Sequence, residues 1–599
     1  MLLLAGSLLA RCQATETPTA YYVDCGAIAN DTIADGTSPE HPLQTLAAVN
    51  SRTYHAGEKI LFKRGSTCEG TFAPKGSGRK EAPIRVGTYG EGAKPRIRAG
   101  NGSEAAVVLF NQEYWEIASL DISGSTRYGA HVGGDRGTLH HIHLLQLSIH
   151  DVLDPHSEMK KKASGLVVVE ASSPDAAFDD VLVDGVIAER TNQWSGIFIS
   201  GSDGKAITTH VSVKNSMVHD VQGDGIVLFR MRDGIIANSV AWRTGLQDKE
   251  TIGTPNAIWT WSCEKCTVEN NEAFLTDSSG IDGGAFDIDY WNTGNIVRNN
   301  YGHDTQGYCV SVFAAFRVTK ASEISGNLCI RNGLSPRLAA KQGAIFILTW
   351  QYGALDGVAI KNNTVYWDPS GAFPAIQTGD GVAIRNLSVE RNTIYSSAPA
   401  FVSPRLQFDG STNCYFYMER NKPAEDLRAE QKSTPESRAI GRGGIACWSG
   451  CNYAGKRNLS PAESEWISQL RDAANHPVQR PSDNWMLYAE LPSDADSQER
   501  EIVLLKSQSS QFRAAGLRVV AVTRGTRAEM RQLSEDWRLD ADGIAIATEE
   551  KESPTPSMLL ISPGAEVLQE WHELPSIQSV GLSLRQIIGE PIFADLPAQ

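Results

Sequence analysis

The chain has 599 residues, enough for more than one domain and a large core, which excludes a small disulfide scaffold. Hydrophobic residues make up 41% and charged residues 21%, and the 54 glycines follow no three-residue period, so the chain is globular, neither disordered nor collagenous. Lys plus Arg total 55 against 70 Asp plus Glu, and the resulting charge of −15 argues against nucleic acid or an anionic membrane as partner.

Met1 to Ala10 is an apolar run far shorter than the ~20 residues that span a bilayer, and small residues follow near Ala14. Residues 1–14 are therefore expected to be an export signal, although no Lys or Arg precedes the run, and the protein to be secreted or periplasmic with no membrane span. Nine cysteines then remain in an oxidising compartment, so at least one is left over. Cys25 with Cys68, and Cys414 with Cys447 or Cys451, are the expected pairs.

The middle of the chain is a repeat. A short segment, usually opened by Gly and followed by alternating apolar residues, recurs as GAHVG from Gly129, GLVVV from Gly165, GIFIS from Gly196 and GIVLF from Gly225. It continues as NAIWTW from Asn256, GAFDID from Gly284, GYCVSV from Gly307, GAIFIL from Gly343 and PAIQT from Pro374, about 31 residues apart on average, which is one coil of a solenoid. A second strand-like segment falls between these, introduced by Asn215, Asn238, Asn270, Asn299, Asn327, Asn362 and Asn392. Both segments have the strand period of two, and Asn stacked at one turn can hydrogen-bond along the stack.

Strand coils of this length with an asparagine column resemble the right-handed parallel β-helix of the pectate-lyase-like superfamily, over roughly residues 110 to 410. The resemblance implies an all-β solenoid over 110–455. Residues 20–109, with DGTSPEHPLQTLAAVN and GEKILFKRGSTCEG, look like the opening of secreted β-helix proteins, in which a helix near Leu43 to Val49 caps the end and the first coils follow. Such a cap is physically required, because an open terminal coil exposes strand edges and core.

Taking Gly225, Asn256 and Gly284 as equivalent, the second residue after each opener gives one inward column, Val227, Ile258, Phe286, Cys309 and Ile345. Side chains alternate, so the third and fifth residues face outward: Leu228 and Arg230, Trp259 and Trp261, Asp287 and Asp289. Asp224 and Asp282 approach the same face from the preceding turns. Neighbouring coils lie about 4.8 Å apart, so the group spans roughly 10 Å, the reach of one sugar residue. Tryptophan stacks on sugar C–H surfaces, and carboxylates bind hydroxyls, hold Ca²⁺ or act as general acid and base. Asp224, Arg230, Asp287 and Asp289 are thus candidate catalytic residues, Trp259, Trp261 and Asp282 candidate substrate-binding residues, and Asp287 and Asp289 candidate Ca²⁺ ligands. The plainer alternative is a solvated sheet face with aspartates at bends and aromatics under a loop. His219 and His303, each followed by Asp near a strand end, join the catalytic candidates, with an ordinary turn role as their alternative; His150 lies farther off and is expected to be structural. Cys263 and Cys266 have zinc-pair or redox spacing but lack further ligands, so a local disulfide or two free thiols is expected, and no redox cofactor.

From about residue 456 helical signals begin, with a capping box at Ser460-Pro461-Ala462-Glu463, and 456–483 is expected to be a helical linker. Strands and helices then alternate over 484–599, an α/β pattern with strands at LRVVAVT and MLLIS and a last helix near Leu584. The order resembles the thioredoxin and peroxiredoxin fold, with Thr555-Pro556 in the cis-proline position. No cysteine follows Cys451, so the family's nucleophilic thiol is missing and a binding or packing role is implied.

The leading expectation is a secreted polysaccharide-active enzyme holding its substrate along the outside of the solenoid. A lyase on an acidic polysaccharide needs a base such as Arg230 or His219, and the resemblance implies Ca²⁺ held by aspartates, although the complete lyase motif is absent. A glycoside hydrolase needs two carboxyls, about 5–5.5 Å apart for retention or 6.5–9.5 Å for inversion. Arginine within the acid cluster tilts the choice slightly towards a lyase. The third possibility is a non-catalytic glycan-binding or surface protein.

Overall fold

In the computed structural model the described residues are 20–571, except for 28–33, 156–162, 247–254, 369–372, 380–381, 399, 409–411, 418–456, 473, 479–484, 515–516, 538, 540–543, 549–557 and 562–565. The expected export signal, Cys447, Cys451, Thr555-Pro556 and the last helix near Leu584 lie outside them.

Each coil sends one strand to each of three sheets, as Gly137–Leu145, Ser148–Val152 and Gly165–Ala171 do in succession. Every such strand pairs in parallel with its counterparts on adjacent coils, and among the described residues the three sheets hold 14, 13 and 10 strands. The chain therefore forms a parallel β-helix, and it begins with Ala20–Val23, which pairs with Lys59–Lys63. Helix Leu46–Asn50 turns its buried Leu46 and Val49 into the same core, and the Thr45 hydroxyl accepts from the Ala48 N–H at 3.1 Å.

Inward residues stack coil on coil. In the third sheet the column runs Ile197, Ile226, Ile258, Phe286, Val310, Ile345 and Ile376. The expected column holds for Ile258, Phe286 and Ile345 but is one residue out at Val227 and Cys309. The reason is that the opening glycine is not fixed on the coil: Gly225 aligns one place later than Asn256 does, so Ile226 points in and Val227 points out. Leu228, expected outside, is likewise buried in the core. Cys309 pairs instead with Cys329 of the second sheet, crossing the interior. Gly302 leaves room for that bridge, because a Cβ there would lie 2.7 Å from the Cys309 sulfur.

The paired asparagines divide their work. The first of each pair takes the left-handed conformation at the bend, as Asn270 (φ 55°), Asn299 (φ 55°) and Asn362 (φ 56°) do. The second turns inward and builds a ladder of Asn271, Asn300, Asn327, Asn363, Asn392 and Asn413. Asn327 shows the pattern: its Oδ1 accepts from the Asn300 backbone N–H and Nδ2, both at 3.0 Å, while its Nδ2 donates to Val297 O at 2.9 Å and to Asn363 Oδ1 at 3.0 Å. Ser239 and Ser216 continue the line more weakly through their hydroxyls.

Cys25–Cys68 forms as expected, Cys414 is disulfide-bonded, and Cys263 and Cys266 are free, buried thiols. The C-terminal residues form a separate α/β sheet. Its strand order is Arg457–Asn458, Glu566–Trp571, Met558–Ile561, Trp485–Glu490, Leu517–Thr523 and Ile544–Thr548. Ser460 and Glu463 make the expected capping box on helix Pro461–Gln469, whose Trp466 packs into this domain's own core. The domain covers the second sheet of the β-helix: Met217, Trp242, Phe274 and Tyr301 share one apolar cluster with Leu487, Ile502 and Leu560. Arg64–Asp496 (3.2 Å) and Lys94–Glu499 (3.4 Å) pin helix Ala495–Ala514 beside it. No helix among the described residues is long and apolar enough to cross a membrane.

Replacing Asn327 by Ala strands the Asn300 amide donors and the Val297 carbonyl inside the core. Unmet buried groups cost about 1–3 kcal/mol each, so the variant is expected to lose roughly 2–4 kcal/mol. An unchanged midpoint of denaturant unfolding would remove the ladder from the forces that hold the coils.

Candidate functional site

The third sheet carries the site on its outer face. Beside the inward column runs an outward one: Val168, Phe198, Val227, Trp259, Asp287, Ser311, Phe346 and Gln377. Its apolar start forms a small cluster with Tyr128 and Phe229, and this cluster buries Trp259 to 4% exposure. Trp259 is thus a wall of the site and not the open stacking surface expected of it. The column changes character at Asp287, which is 1% exposed and lies between Trp259 and Ser311.

Asp287 is the centre of a polar network. Ser311 Oγ stands 2.5 Å from its Oδ1, and Asn256 Nδ2 donates to its Oδ2 at 3.3 Å. Asn256 is held in turn by Tyr308, whose hydroxyl donates to Asn256 Oδ1 at 2.9 Å, and by the Gly284 N–H at 2.9 Å. Asp224 accepts from the Asn256 N–H at 3.0 Å and from the Trp194 indole N–H. Asp282 sits in a left-handed turn (φ 73°) just before the strand Phe286–Ile288. Arg337 clamps that turn by donating to Ser278 O at 2.8 Å and to Gly280 O. The sequence-predicted aspartates 224, 282, 287 and 289 therefore do come together.

Their electrostatics are unusual. Burial, with the Asp289, Asp282 and Asp224 carboxylates beside it, pushes the Asp287 carboxyl well above the usual carboxylate range. The charges acting most strongly on it are all carboxylates, with no cation among them. Burial, with Asp282, Asp287 and Asp289 nearby, also raises the Tyr308 and Tyr290 phenols.

Arg230, His219 and His303 are not part of this network. Arg230 ends its strand in a left-handed conformation (φ 57°), with its guanidinium over Phe229 (5.1 Å) and Trp261 (5.2 Å). The two histidines belong to the second sheet, one turn of the coil away. His219 stacks on Trp242 at 4.2 Å, and His303 is fully buried between Glu272 (2.9 Å) and Asp304 (2.7 Å). Both sit in the layer adjoining the C-terminal domain, on a different sheet from the aspartates. His150 occupies the same outward column further along, paired with Asp121 and Asp151. Nor do Asp287 and Asp289 meet a third ligand at metal-binding spacing; among the described residues the one set of three that does is Glu116, His141 and His143.

The chemistry-bearing surface that the repeats did not single out is aromatic. At the ends of successive third-sheet strands stand Trp261, Trp291, Phe316, Trp350 and Tyr352. Trp261 and Trp291 rings are 4.5 Å apart, Tyr290 stacks on Trp350 at 6.2 Å, and Phe316, Trp350 and Tyr352 are 45%, 48% and 83% exposed. The strip spans three coil steps, roughly 14 Å. An aromatic after each strand (IWTW, DIDYW, FAAF, ILTW) is a visible signal, of which the repeat pattern singles out only Trp261. A cleft of about 820 Å³ opens beside the strip, lined by Asp203, Arg230, Arg232, Glu264, Trp291 and Arg317 among others.

No family model matches the chain, and no curated protein matches it. Among solved structures, the GH136 lacto-N-biosidase from Eubacterium ramulus aligns at 21% identity over 67% of this chain and 68% of that one, with a TM-score of 0.47. An alginate lyase from Paenibacillus sp. aligns at 15% identity over 63% and 96%, TM-score 0.29, and a pectate lyase at 15% over 66% and 80%, TM-score 0.32. Likeness at this level carries no residue correspondence into the aspartate cluster.

A carboxyl whose folded-state pKa is raised favours the folded state at low pH and loses that contribution as pH climbs from the unfolded value towards the folded one. Asp287→Asn removes this loss while keeping the shape. The variant is expected to melt at or above the wild-type temperature at pH 7, with the gap shrinking as pH falls towards 4. A wild-type advantage at pH 7 would mean that Asp287 is ionised in the native state.

Proposed function

We propose that the protein is a polysaccharide-active enzyme that holds a glycan along the third sheet and hydrolyses it with the aspartate cluster. Asp287 carries this reading: a carboxyl raised well above its usual range by burial and by three neighbouring carboxylates has the character that a general acid requires. Asp289, less buried on the same strand line, is then the partner carboxylate, and Asn256, Tyr308 and Ser311 fix the acid's orientation. The exposed aromatic strip supports a polymeric sugar over a small molecule, since it offers stacking surfaces at coil spacing over several sugar lengths. Export belongs to the same reading, and the Cys25–Cys68 and Cys309–Cys329 bridges suit an oxidising compartment.

A lyase acting on an acidic polysaccharide is the second reading, favoured by Arg230 and Arg317. Both guanidiniums lie over tryptophan rings at the cleft, and neither has a carboxylate partner among the described residues, which suits a uronate carboxylate. Ca²⁺ held by Asp287 and Asp289 goes with that chemistry alone.

For the C-terminal domain we infer a thioredoxin-like fold without thiol chemistry. The adjacent strands Leu517–Thr523 and Trp485–Glu490 are parallel, and Met558–Ile561 and Glu566–Trp571 follow antiparallel, the arrangement expected of that fold. With no cysteine after Cys451, its role is to cover the second sheet.

The test is incubation with a panel of neutral and acidic polysaccharides, reading unsaturated products near ~235 nm and new reducing ends separately. Reducing ends without unsaturation, lost by about 10² to 10⁴ in Asp287→Asn and indifferent to chelator, are expected of the hydrolase. Unsaturated product that disappears with chelator and returns with Ca²⁺ would overturn it in favour of the lyase. Binding with neither product would leave a glycan-binding protein. In the same assay Trp350→Ala is expected to raise KM several-fold with little change in kcat, because stacking on a remote sugar acts on ground and transition states alike.

A further inference from the structure

We propose that Glu116, His141 and His143 bind one divalent transition-metal ion on the first sheet, away from the aspartate cluster. One ligand atom from each of the three lies within 4.8 Å of the others. His141 and His143 flank the inward Ile142 on the strand Gly137–Leu145, so both rings face out, with centroids 3.8 Å apart. Glu116 comes from the coil before, on Trp115–Ala118, in register with His143. Arg85 donates through Nε to its Oε2 at 2.6 Å and, at 3.5 Å, through Nη2 to its Oε1, which also stands 3.2 Å from His141 Nε2.

That last distance is informative. Two ligands each about 2.0–2.1 Å from a tetrahedral zinc are about 3.3 Å apart, so an ion fits between these two atoms with little movement. The other nitrogen of His141 is already committed, since Nδ1 lies 2.7 Å from Asp180 Oδ2 on the coil after. A neutral imidazole has one N–H to give; given to Asp180, it leaves the Nε2 lone pair aimed at Glu116. This is the carboxylate–histidine–metal arrangement, in which an outer carboxylate fixes the ring and its tautomer. Asp180 also contacts His143 at 3.1 Å, so it orients both rings. His141 (φ 56°) and Asp180 (φ 62°) each adopt the left-handed conformation, a costly backbone for two aligned non-glycine residues, and it is what brings the group together.

Two imidazoles and one carboxylate select Zn²⁺ among common ions, with a fourth position left for water, whereas Ca²⁺ and Mg²⁺ prefer oxygen ligands. The side chains of His141, His143 and Glu116 are about one-fifth exposed, so an ion can enter from solvent. The bound ion ties two coils directly and a third through Asp180, a staple across the first sheet.

The test uses the full chain, prepared without a histidine tag and stripped with EDTA. Zn²⁺ titrated against a chromophoric chelator is expected to show one site, and Co²⁺ to give the intense visible absorption of a tetrahedral N/O site. Thermal melting is expected to shift upward with Zn²⁺ and return with EDTA. His141→Asn, which tolerates the left-handed backbone, and His143→Ala should each abolish the Co²⁺ spectrum and the Zn²⁺ shift, while melting in EDTA like the wild type. His210→Ala, at an exposed histidine paired with Asp179, should change nothing. Absence of a wild-type site, a Co²⁺ spectrum surviving in the two variants, or equal loss in His210→Ala would overturn the assignment.

Discussion

The amide side chains of Asn271, Asn300, Asn327, Asn363, Asn392 and Asn413 close each coil against the next, and the rest of the molecule depends on that closure. A parallel coil must turn three corners and still return to within about 4.8 Å of its starting line. At a tight inward bend the backbone loses sheet partners, and an unmet amide there would cost more than the bend gains. The ladder supplies those partners at the same spacing as the strands themselves. Its regular rise keeps the interior column from Ile226 to Ile376 in line, and with it the outward column on which Trp259, Asp287 and Ser311 are neighbours.

The three sheets are put to different uses. The second is spent on packing, its His219, Trp242, Phe274 and His303 stacked face to face beside the C-terminal domain. The first carries charged and imidazole groups exposed to solvent. The third combines buried carboxyls with open aromatics. Burial and charge reinforce each other there: every carboxylate near Asp287 makes its ionisation harder, and the low-dielectric surroundings magnify each of those effects. Such a site is a source of instability that the coils on either side must offset, which suits a scaffold whose core runs unbroken through many coils.

The repeat, the parallel β-helix and the clustering of Asp224, Asp282, Asp287 and Asp289 were legible in the sequence because each rests on a period that the chain repeats many times. What failed was local. Sliding of the opening glycine by one place moved Val227 outward and Cys309 onto a disulfide, since alternation turns a slip of one residue into a change of face. Asn215 and Asn238 resembled Asn327 in position, yet they turn the bend while the following Ser216 and Ser239 take the inward place. His219 and His303 lay close in sequence to the next opener but belong to the sheet before the corner, a distinction that needs the corner's geometry. Of the aromatic strip only Trp261 fell within the aligned part of the repeat; Trp291, Phe316, Trp350 and Tyr352 lay beyond it.

The packing of the C-terminal domain on the second sheet ties coils around residues 187–330 to side chains that follow roughly 300 residues later. A chain delivered N-terminus first at about 5–20 residues per second leaves those coils without their cover for roughly 15 to 60 seconds. During that interval Met217, Trp242, Phe274 and Tyr301 form an apolar stripe on an otherwise complete solenoid. A chain cut short before the covering domain leaves that stripe open to water, a surface prone to self-association.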